Sequence, residues 1–237
     1  MSDYHYEGEE LDLFHHATNW KRYWAASVSP FVSGRILDAG AGQGNNLPIL
    51  LSPRCTEWTA LEPDAQLLAK TERLGDIAKD ARLKLVAGDT ASLLEKQPTP
   101  VFDTILYIDV MEHIADDLGE FQRAARLLSP GGHLIVLSPA FQSLYSPFDA
   151  AIGHCRRYDR ASLQRLKSNE LAMEKFFFLD AAGFLLSSAN RWMLRQSMPT
   201  LSQIQFWDRW VIPLSRWVDP LVGRSVGRSI VGVWKKA

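Results

Sequence analysis

Four acidic residues each close an apolar run: Asp38 before Ala39-Gly40-Ala41-Gly42-Gln43-Gly44, Glu62 in Leu61-Glu62-Pro63, Asp89 in Gly88-Asp89-Thr90, and Asp109 before Val110-Met111-Glu112-His113-Ile114. If the apolar runs are parallel strands, the four carboxylates gather along the sheet edge where ligands bind in open α/β folds. There they can accept hydrogen bonds and attract cations. Gly40 and Gly42 lie in a strand-to-helix loop, where glycine lets backbone approach a ligand without a Cβ in the way. Glu62, 20 residues beyond Gly42, occupies the position from which an acid accepts both hydroxyls of a ribose. Asp89 and Thr90 suit either the amino group of an adenine or the first turn of a helix.

The charges discriminate between adenosine ligands. A dinucleotide brings an anionic pyrophosphate, and its G-x-G-x-x-G fingerprint needs a small residue where this chain has Asn45. S-adenosyl-L-methionine carries a sulfonium, an ammonium and no phosphate, and suits an acid-lined site better. Beyond the four acids, His113 and His154 are the candidate proton acceptors for a reaction that removes a proton from its substrate. His113 equally suits a helix start. His154 sits in Gly153-His154-Cys155-Arg156-Arg157-Tyr158, a loop able to close over a site. Arg156, Arg157 and Tyr158 beside it are the candidate substrate-binding residues, since the planar guanidinium fork matches carboxylate or phosphate. The alternative is that these arginines pair with acids of the protein body. The six histidines and the two cysteines, Cys55 and Cys155, show no metal-ligand spacing, and no metal is expected.

The elements that must position these residues read as alternating strands and helices. Strands are predicted at Arg35–Asp38, Trp58–Leu61, Leu83–Val86, Phe102–Ile108, His133–Leu137, Phe176–Leu179 and Ile230–Trp234. Helices are expected through Ile49–Leu51, over Asp64–Leu74 with Asp64 as cap, and over Glu112–Leu128, where Ile114, Leu118, Phe121, Ala125 and Leu128 keep helical spacing. Ser129-Pro130-Gly131-Gly132 should stop that last helix. Arg160–Lys167 reads as a short one. About 45 residues separate the sixth and seventh strands, too many for a loop, so a helical insertion is expected there. The whole reads as a single α/β domain over 1–237: an N-terminal helical cap (1–34), a ligand-binding core (35–139), and a substrate-side portion (140–237).

At 237 residues, 46% hydrophobic and net charge −1, the chain offers no global electrostatic reason to bind nucleic acid. The average hides a split. Residues 191–237 carry eight Lys and Arg against two Asp, with five of the eight Trp. On a helix over Gln203–Leu221, Phe206, Trp210, Leu214, Trp217 and Leu221 share one face and Arg209 and Arg216 another, with Pro213 dividing or kinking it. Such a face suits core packing, a homodimer contact, an apolar substrate or the surface of a membrane. The acidic start lacks the basic and apolar regions of a secretion signal, and no apolar run reaches a membrane span. A cytoplasmic protein is expected, with contact at the inner face of a membrane left open.

From Arg35 to Pro139 the chain resembles class I S-adenosylmethionine-dependent methyltransferases, in the broad group that includes ubiquinone-biosynthesis methyltransferases. The resemblance rests on Leu37-Asp38-Ala39-Gly40-Ala41-Gly42-Gln43-Gly44, Leu61-Glu62-Pro63, Gly88-Asp89, Asp109-Val110-Met111-Glu112-His113-Ile114 and Leu127-Leu128-Ser129-Pro130-Gly131-Gly132. It implies a Rossmann-like seven-stranded, mostly parallel sheet with an antiparallel last strand and helices on both faces. It also implies Gly40, Gly42 and Asp109 near the methionine part of the cofactor, Glu62 on the ribose, and Asp89 with Thr90 at the adenine. Methyl transfer to an O, N or C atom of a small, amphiphilic or lipid- or glycan-linked molecule is the activity this suggests. Cofactor retention without transfer, as in a structural or cyclase-type role, and a nicotinamide-dependent oxidoreductase are the alternatives.

Overall fold

The computed structural model describes residues 13–190 and 198–237. Seven strands form one sheet: β1 Gly34–Ala39, β2 Cys55–Glu62, β3 Leu83–Ala87, β4 Phe102–Ile108, β5 Leu128–Pro139, β6 Leu171–Leu179 and β7 Ser229–Lys236. Their order is β3-β2-β1-β4-β5-β7-β6. β7 runs antiparallel to both its neighbours, β5 and β6, and the β2–β3, β1–β2, β1–β4 and β4–β5 pairs are parallel. The Rossmann-like sheet with an antiparallel last strand is therefore present.

Side-chain alternation explains why both faces are covered. Ile36, Leu106, Ile135, Leu137, Val231 and Val233 belong to one core. Their neighbours Leu37, Ile105, Leu134, Val136 and Ile230 belong to the other. Helix α1, Thr18–Val28, packs Trp20, Trp24, Ala25 and Val28 into the first core. Five short or medium helices follow: α2 Leu47–Leu50, α3 Ala65–Ala69, α4 Thr90–Lys96, α5 Asp117–Leu127 and α6 Pro147–Ala151. Of these, α5 packs Phe121, Ala124 and Leu127 into the second core. Beyond it come α7 Arg160–Arg165, α8 Ala181–Asn190, α9 Leu201–Phe206 and α10 Ile212–Leu221.

Several boundaries differ from the sequence expectation. The helix expected from Glu112 begins only at Asp117, because the Asp116 carboxylate accepts the Gly119 N–H and caps it there. Met111–His113 is a single 3-10 turn. Ser129-Pro130-Gly131-Gly132 does not form a separate stop, since β5 starts at Leu128 and runs through it. Asp64 caps α3 as expected, accepting Gln66 and Leu67 N–H, but the chain then tightens into a 3-10 segment, Lys70–Lys79, bent at Gly75. Between α9 and α10, Trp207–Val211 forms a π turn. It ends two residues before Pro213, which has no N–H to continue the regular ladder, and a widened turn joins the two helices there.

Three buried carboxylates fasten this C-terminal insertion. Asp219 accepts the Tyr23 hydroxyl at 2.6 Å and the N–H groups of Asp180 and Ala181 at 2.8 Å. Asp208 accepts the N–H groups of Asn19 and Trp20. Asp180 accepts Gly183 N–H, the Ser215 hydroxyl and the Trp207 indole N–H. The insertion is thus tied to both the N-terminal helix and the end of β6. Its expected apolar face is open to solvent, from Phe206 and Leu214, 58% and 54% exposed, to Trp217 and Leu221, 79% and 85% exposed. Among the described residues no helix is long and apolar enough to cross a membrane.

Candidate active site

The strand ends of β1, β2 and β4 open into a cavity of about 540 Å³. Of the residues singled out from sequence, Gly40, Gly42, Glu62, Asp89, Thr90, Asp109, His113, His154 and Arg157 line it. Gly40 and Gly42 have φ of 71° and 57°, where other residues are strained. A Cβ on Gly40 would lie 2.7 Å from a Val110 methyl, so the loop passes too close to β4 for any side chain. Glu62 ties this loop down: its two oxygens accept Gly42 N–H at 2.9 Å and Asp64 N–H at 3.1 Å. A carboxylate oxygen has a further lone pair, so Glu62 can still take ligand hydroxyls. Asp89 fulfils the helix-cap reading and keeps one oxygen toward the cavity it lines. Oδ1 accepts Ser92 N–H at 2.8 Å and caps α4, and Oδ2 has no hydrogen bond among the described residues. Thr90 meets the Tyr107 hydroxyl, which donates to Glu120 at 2.6 Å.

Three expected site residues do not line the cavity. Asp38 is fully buried behind the glycine loop, with Oδ1 accepting the Asn46 amide at 2.9 Å and Oδ2 unpartnered. Arg156 pairs with Asp117 at 2.5 Å and donates to the Ala115 carbonyl. Tyr158 is buried, its hydroxyl donating to Met111 O and to Asp117. Arg157 does reach the cavity wall, but Nε and a terminal nitrogen grip the Asp149 carboxylate at 2.7 and 2.9 Å. The sequence alternative of arginines paired to acids of the body is what these contacts describe.

Asp149 is the centre of a second cluster. Fully buried, it accepts the Ser146 N–H and hydroxyl, Arg157, and His154 Nδ1 at 2.9 Å. Burial alone raises its pKa, but the bonds from His154, Arg157 and Ser146 outweigh that and hold it well below the ordinary carboxylate range. An ionised Asp149 fixes the N–H of His154 on Nδ1, which leaves Nε2 as the acceptor. Nε2 lies 3.9 Å from Glu112 Oε1, which is buried and makes no hydrogen bond, while Glu112 Oε2 accepts the Ser138 hydroxyl. The rings of His113 and His154 meet edge to face at 4.6 Å. Burial, with the neighbouring His154, lowers the His113 pKa to about 4, against a hydrogen bond to Gly153 that raises it.

Sequence spacing showed no metal pattern, yet Glu112, His113 and His154 each offer a donor atom within 4.8 Å of the others. The fold makes this grouping by bringing the loop before α7 against the 3-10 turn after β4. With His154 Nδ1 on Asp149 and Glu112 Oε2 on Ser138, it is a hydrogen-bonded cluster before any ion is considered. Asn46, Glu112, Trp207 and Arg228 were missed from sequence. A lone Arg before a strand carries no signal, and Asp149 was given no role from sequence.

The acids around the cavity have too few donors to offset their burial and are pushed toward their neutral forms. Burial raises Asp38 to about 7, and Glu62 adds to it while Asn46 opposes. Asp109, open to the cavity but enclosed with it by protein, is raised to about 6 by burial against the charges of His154 and Arg228. Burial raises Glu62 and, with the charge of Asp109, lifts Glu112 well above the usual range. A cation in the cavity relieves this strain and a pyrophosphate worsens it. The acidic lining therefore fits S-adenosyl-L-methionine, which would bring a sulfonium and an ammonium to it.

Comparison with known proteins agrees. A family model described as a methyltransferase domain matches residues 14–169. The ubiquinone biosynthesis O-methyltransferase of Xylella fastidiosa (strain M23) is 33% identical over 122 residues, 51% of this chain and 48% of that protein. The tRNA U34 carboxymethyltransferase of Pseudoalteromonas atlantica is 25% identical over 138 residues, 56% of this chain and 40% of that protein. The aligned stretches thus span about half or less of the relatives' own length. A geranyl diphosphate methyltransferase solved in complex with SAM superposes with a TM-score of 0.65 at 12% identity, covering 98% of this chain and 91% of that one, a likeness of fold.

The raised acids make a stability prediction. Their folded pKa values exceed the unfolded value near 4, so the folded state takes up protons first; the stability these groups contribute is full below about pH 4 and is lost as pH rises through about 6 and 7. His113 acts oppositely, losing stability as pH falls from about 6.5 toward 4, but it is one group against several. The melting temperature of the ligand-free protein should fall between about pH 5.5 and 7.5. Asp38→Asn should flatten that slope, and equal slopes in variant and parent would count against the buried charge.

Proposed function

The chain belongs to the methyltransferase-domain family, and from that premise we propose that it moves the methyl group of S-adenosyl-L-methionine to an oxygen, nitrogen or carbon atom of a small amphiphilic molecule. One observation carries the reading. A single cavity joins the acidic strand ends Glu62, Asp89 and Asp109 to a wall of Phe14, Trp20, Trp24, Phe148 and Trp207, with His154 also on its lining. The cofactor supplies an electrophilic methyl group on a sulfonium. Glu62 and Asp89 hold its polar nucleoside groups, and Asp109 lies toward its cationic end. The aromatic wall excludes water and holds an apolar acceptor in line for attack.

The test pairs binding with turnover. S-adenosylhomocysteine should bind, and Glu62→Ala should weaken it by about 1–3 kcal/mol, the loss expected for a charged hydrogen-bond acceptor. NAD should not bind. Methyl-labelled cofactor, offered with fractionated lipid and small-molecule extracts, should deliver label to an organic-soluble product. Calorimetry that finds Glu62→Ala unaffected, or NAD bound as well, overturns the cofactor placement; binding without any labelled product overturns methyl transfer.

Where the acceptor loses a proton, His154 Nε2 receives it. Asp149 orients the ring and stabilises the imidazolium that forms, a division of labour His113 cannot match with a pKa near 4. His154→Ala should lower turnover by about 10²–10⁴-fold with homocysteine-product affinity intact, and His113→Ala should cost less. Chelators should leave the parent rate unchanged. A larger loss from His113→Ala, or a rate abolished by chelator and restored by a divalent ion, assigns the cluster another role.

The exposed face of α9 and α10 supports acceptor delivery from an anionic membrane surface. Its exposed charges are Arg209 and Arg216, while the insertion's acids Asp208 and Asp219 are buried. Apolar area and positive charge then act together at an interface. Flotation with phosphatidylglycerol vesicles should carry the protein, weaken with salt, and be lost in Trp217→Ala. No flotation, with a dimer in sedimentation that Trp217→Ala dissociates, gives the face to self-association instead.

A further inference from the structure

We infer that Arg228 is the anion-binding residue of the acceptor pocket, so that the molecule methylated carries a carboxylate or phosphate held there; the inference rests on the function proposed above. Arg228 directly precedes β7, and β7 lies beyond β5 on the side of β4 away from β1 and β2. The glycine loop and Glu62 are at the ends of β1 and β2. Arg228 therefore stands across the cavity from the groups that fit the nucleoside, on the acceptor side.

Its backbone is fixed on both sides: the N–H donates to Asp180 O at 3.0 Å, and the carbonyl accepts Ala140 N–H at 2.8 Å. Its guanidinium lies over the Trp207 ring, 5.0 Å from the centroid. Trp207 is itself held by the bond from its indole N–H to Asp180, so cation–π contact keeps the fork in a fixed plane. Yet the guanidinium makes no hydrogen bond or ion pair among the described residues, although it lines the cavity.

The other arginines that line the cavity are engaged, Arg157 on Asp149 and Arg123 on Glu120. The acids near Arg228 are committed as well. Asp180 serves Gly183, Ser215 and Trp207, and Asp149 serves His154, Arg157 and Ser146. Asp109 contributes charge at longer range without an ion pair. Burial lowers the Arg228 pKa, though arginine stays charged. A half-buried guanidinium on the cavity wall whose donors meet no protein acceptor among the described residues is free to take an anion, and carboxylate and phosphate match its fork in two parallel bonds.

The methionine carboxylate of the cofactor has the same chemistry, so the probes must separate the two sources. The S-adenosylhomocysteine-saturated protein is titrated with phenyl phosphate, 3-phenylpropionate and the neutral 3-phenylpropionamide, following tryptophan fluorescence and heat. Both anions should bind the parent at least about tenfold tighter than the amide. Arg228→Gln should erase that preference, Arg228→Lys should retain part of it, and affinity for S-adenosylhomocysteine should be equal in all three proteins. Equal binding of anions and amide to the parent overturns the inference, as does a preference that survives in Arg228→Gln. A Gln variant that weakens S-adenosylhomocysteine itself gives the residue to the cofactor's carboxylate. A parent that binds no S-adenosylhomocysteine overturns the function reading, and this inference with it.

Discussion

A carboxylate withdrawn from water must be supplied with donors or surrender its charge, and this structure sorts its buried acids by that rule. Asp149 receives bonds from Ser146, His154 and Arg157, and Asp219 from Tyr23, Asp180 and Ala181. Asp149 holds the loop before α7 together, and Asp219 fastens the C-terminal insertion to the N-terminal helix and the end of β6. Removing either would strand the donors now bound to it. The insertion buries little of its outer face, so these polar ties carry much of its attachment.

The acids around the cavity are treated the opposite way. Asp38 Oδ2 and Glu112 Oε1 are buried without a partner, and Asp109 sits on the wall with no hydrogen bond to its carboxylate among the described residues. The fold leaves these groups short of positive charge. A cationic ligand is then bound by relief of an existing penalty as well as by new contacts, and an anionic one meets a field already against it. Discrimination between a sulfonium cofactor and a pyrophosphate one is built into the scaffold before any ligand contact is counted.

Much of the core was legible because parallel strands buried on both faces read as continuous apolar runs ended by functional residues. Phe102–Ile108 followed by Asp109 is such a run, and its strand has those bounds. The sheet edge could be read for the same reason: each acid lies within two residues of the end of its strand. Legibility failed where tertiary contacts decide. Helical spacing persists from Glu112 onward, but the Asp116 cap starts the helix later. Arg156 and Tyr158 have the chemistry of a binding pair, yet Asp117 takes both. His154 could be noticed in its loop, whereas the oxygen that orients it belongs to Asp149 only once the Ser146 cap turns that helix inward. The proximity of Glu112, His113 and His154 joins segments 41 residues apart, as His113 and His154 are, and no local spacing encodes it.

Trp207 joins the N-terminal segment to the end of β6 and the start of β7. Its ring packs on Trp20 at 5.7 Å and on Phe14 at 6.3 Å, carries Arg228 above it, and hangs from Asp180. The same π turn carries Trp210, exposed on the outer surface. One short segment thus has its inner residue in the cavity wall and its outer residue on the apolar face. Because a widened turn beside a proline lacks the regular hydrogen-bond ladder, it is a point where a helix can bend with less disruption than elsewhere. The apolar outer face and the aromatic wall of the cavity are thus joined through one short turn, so a shift of one bears on the other.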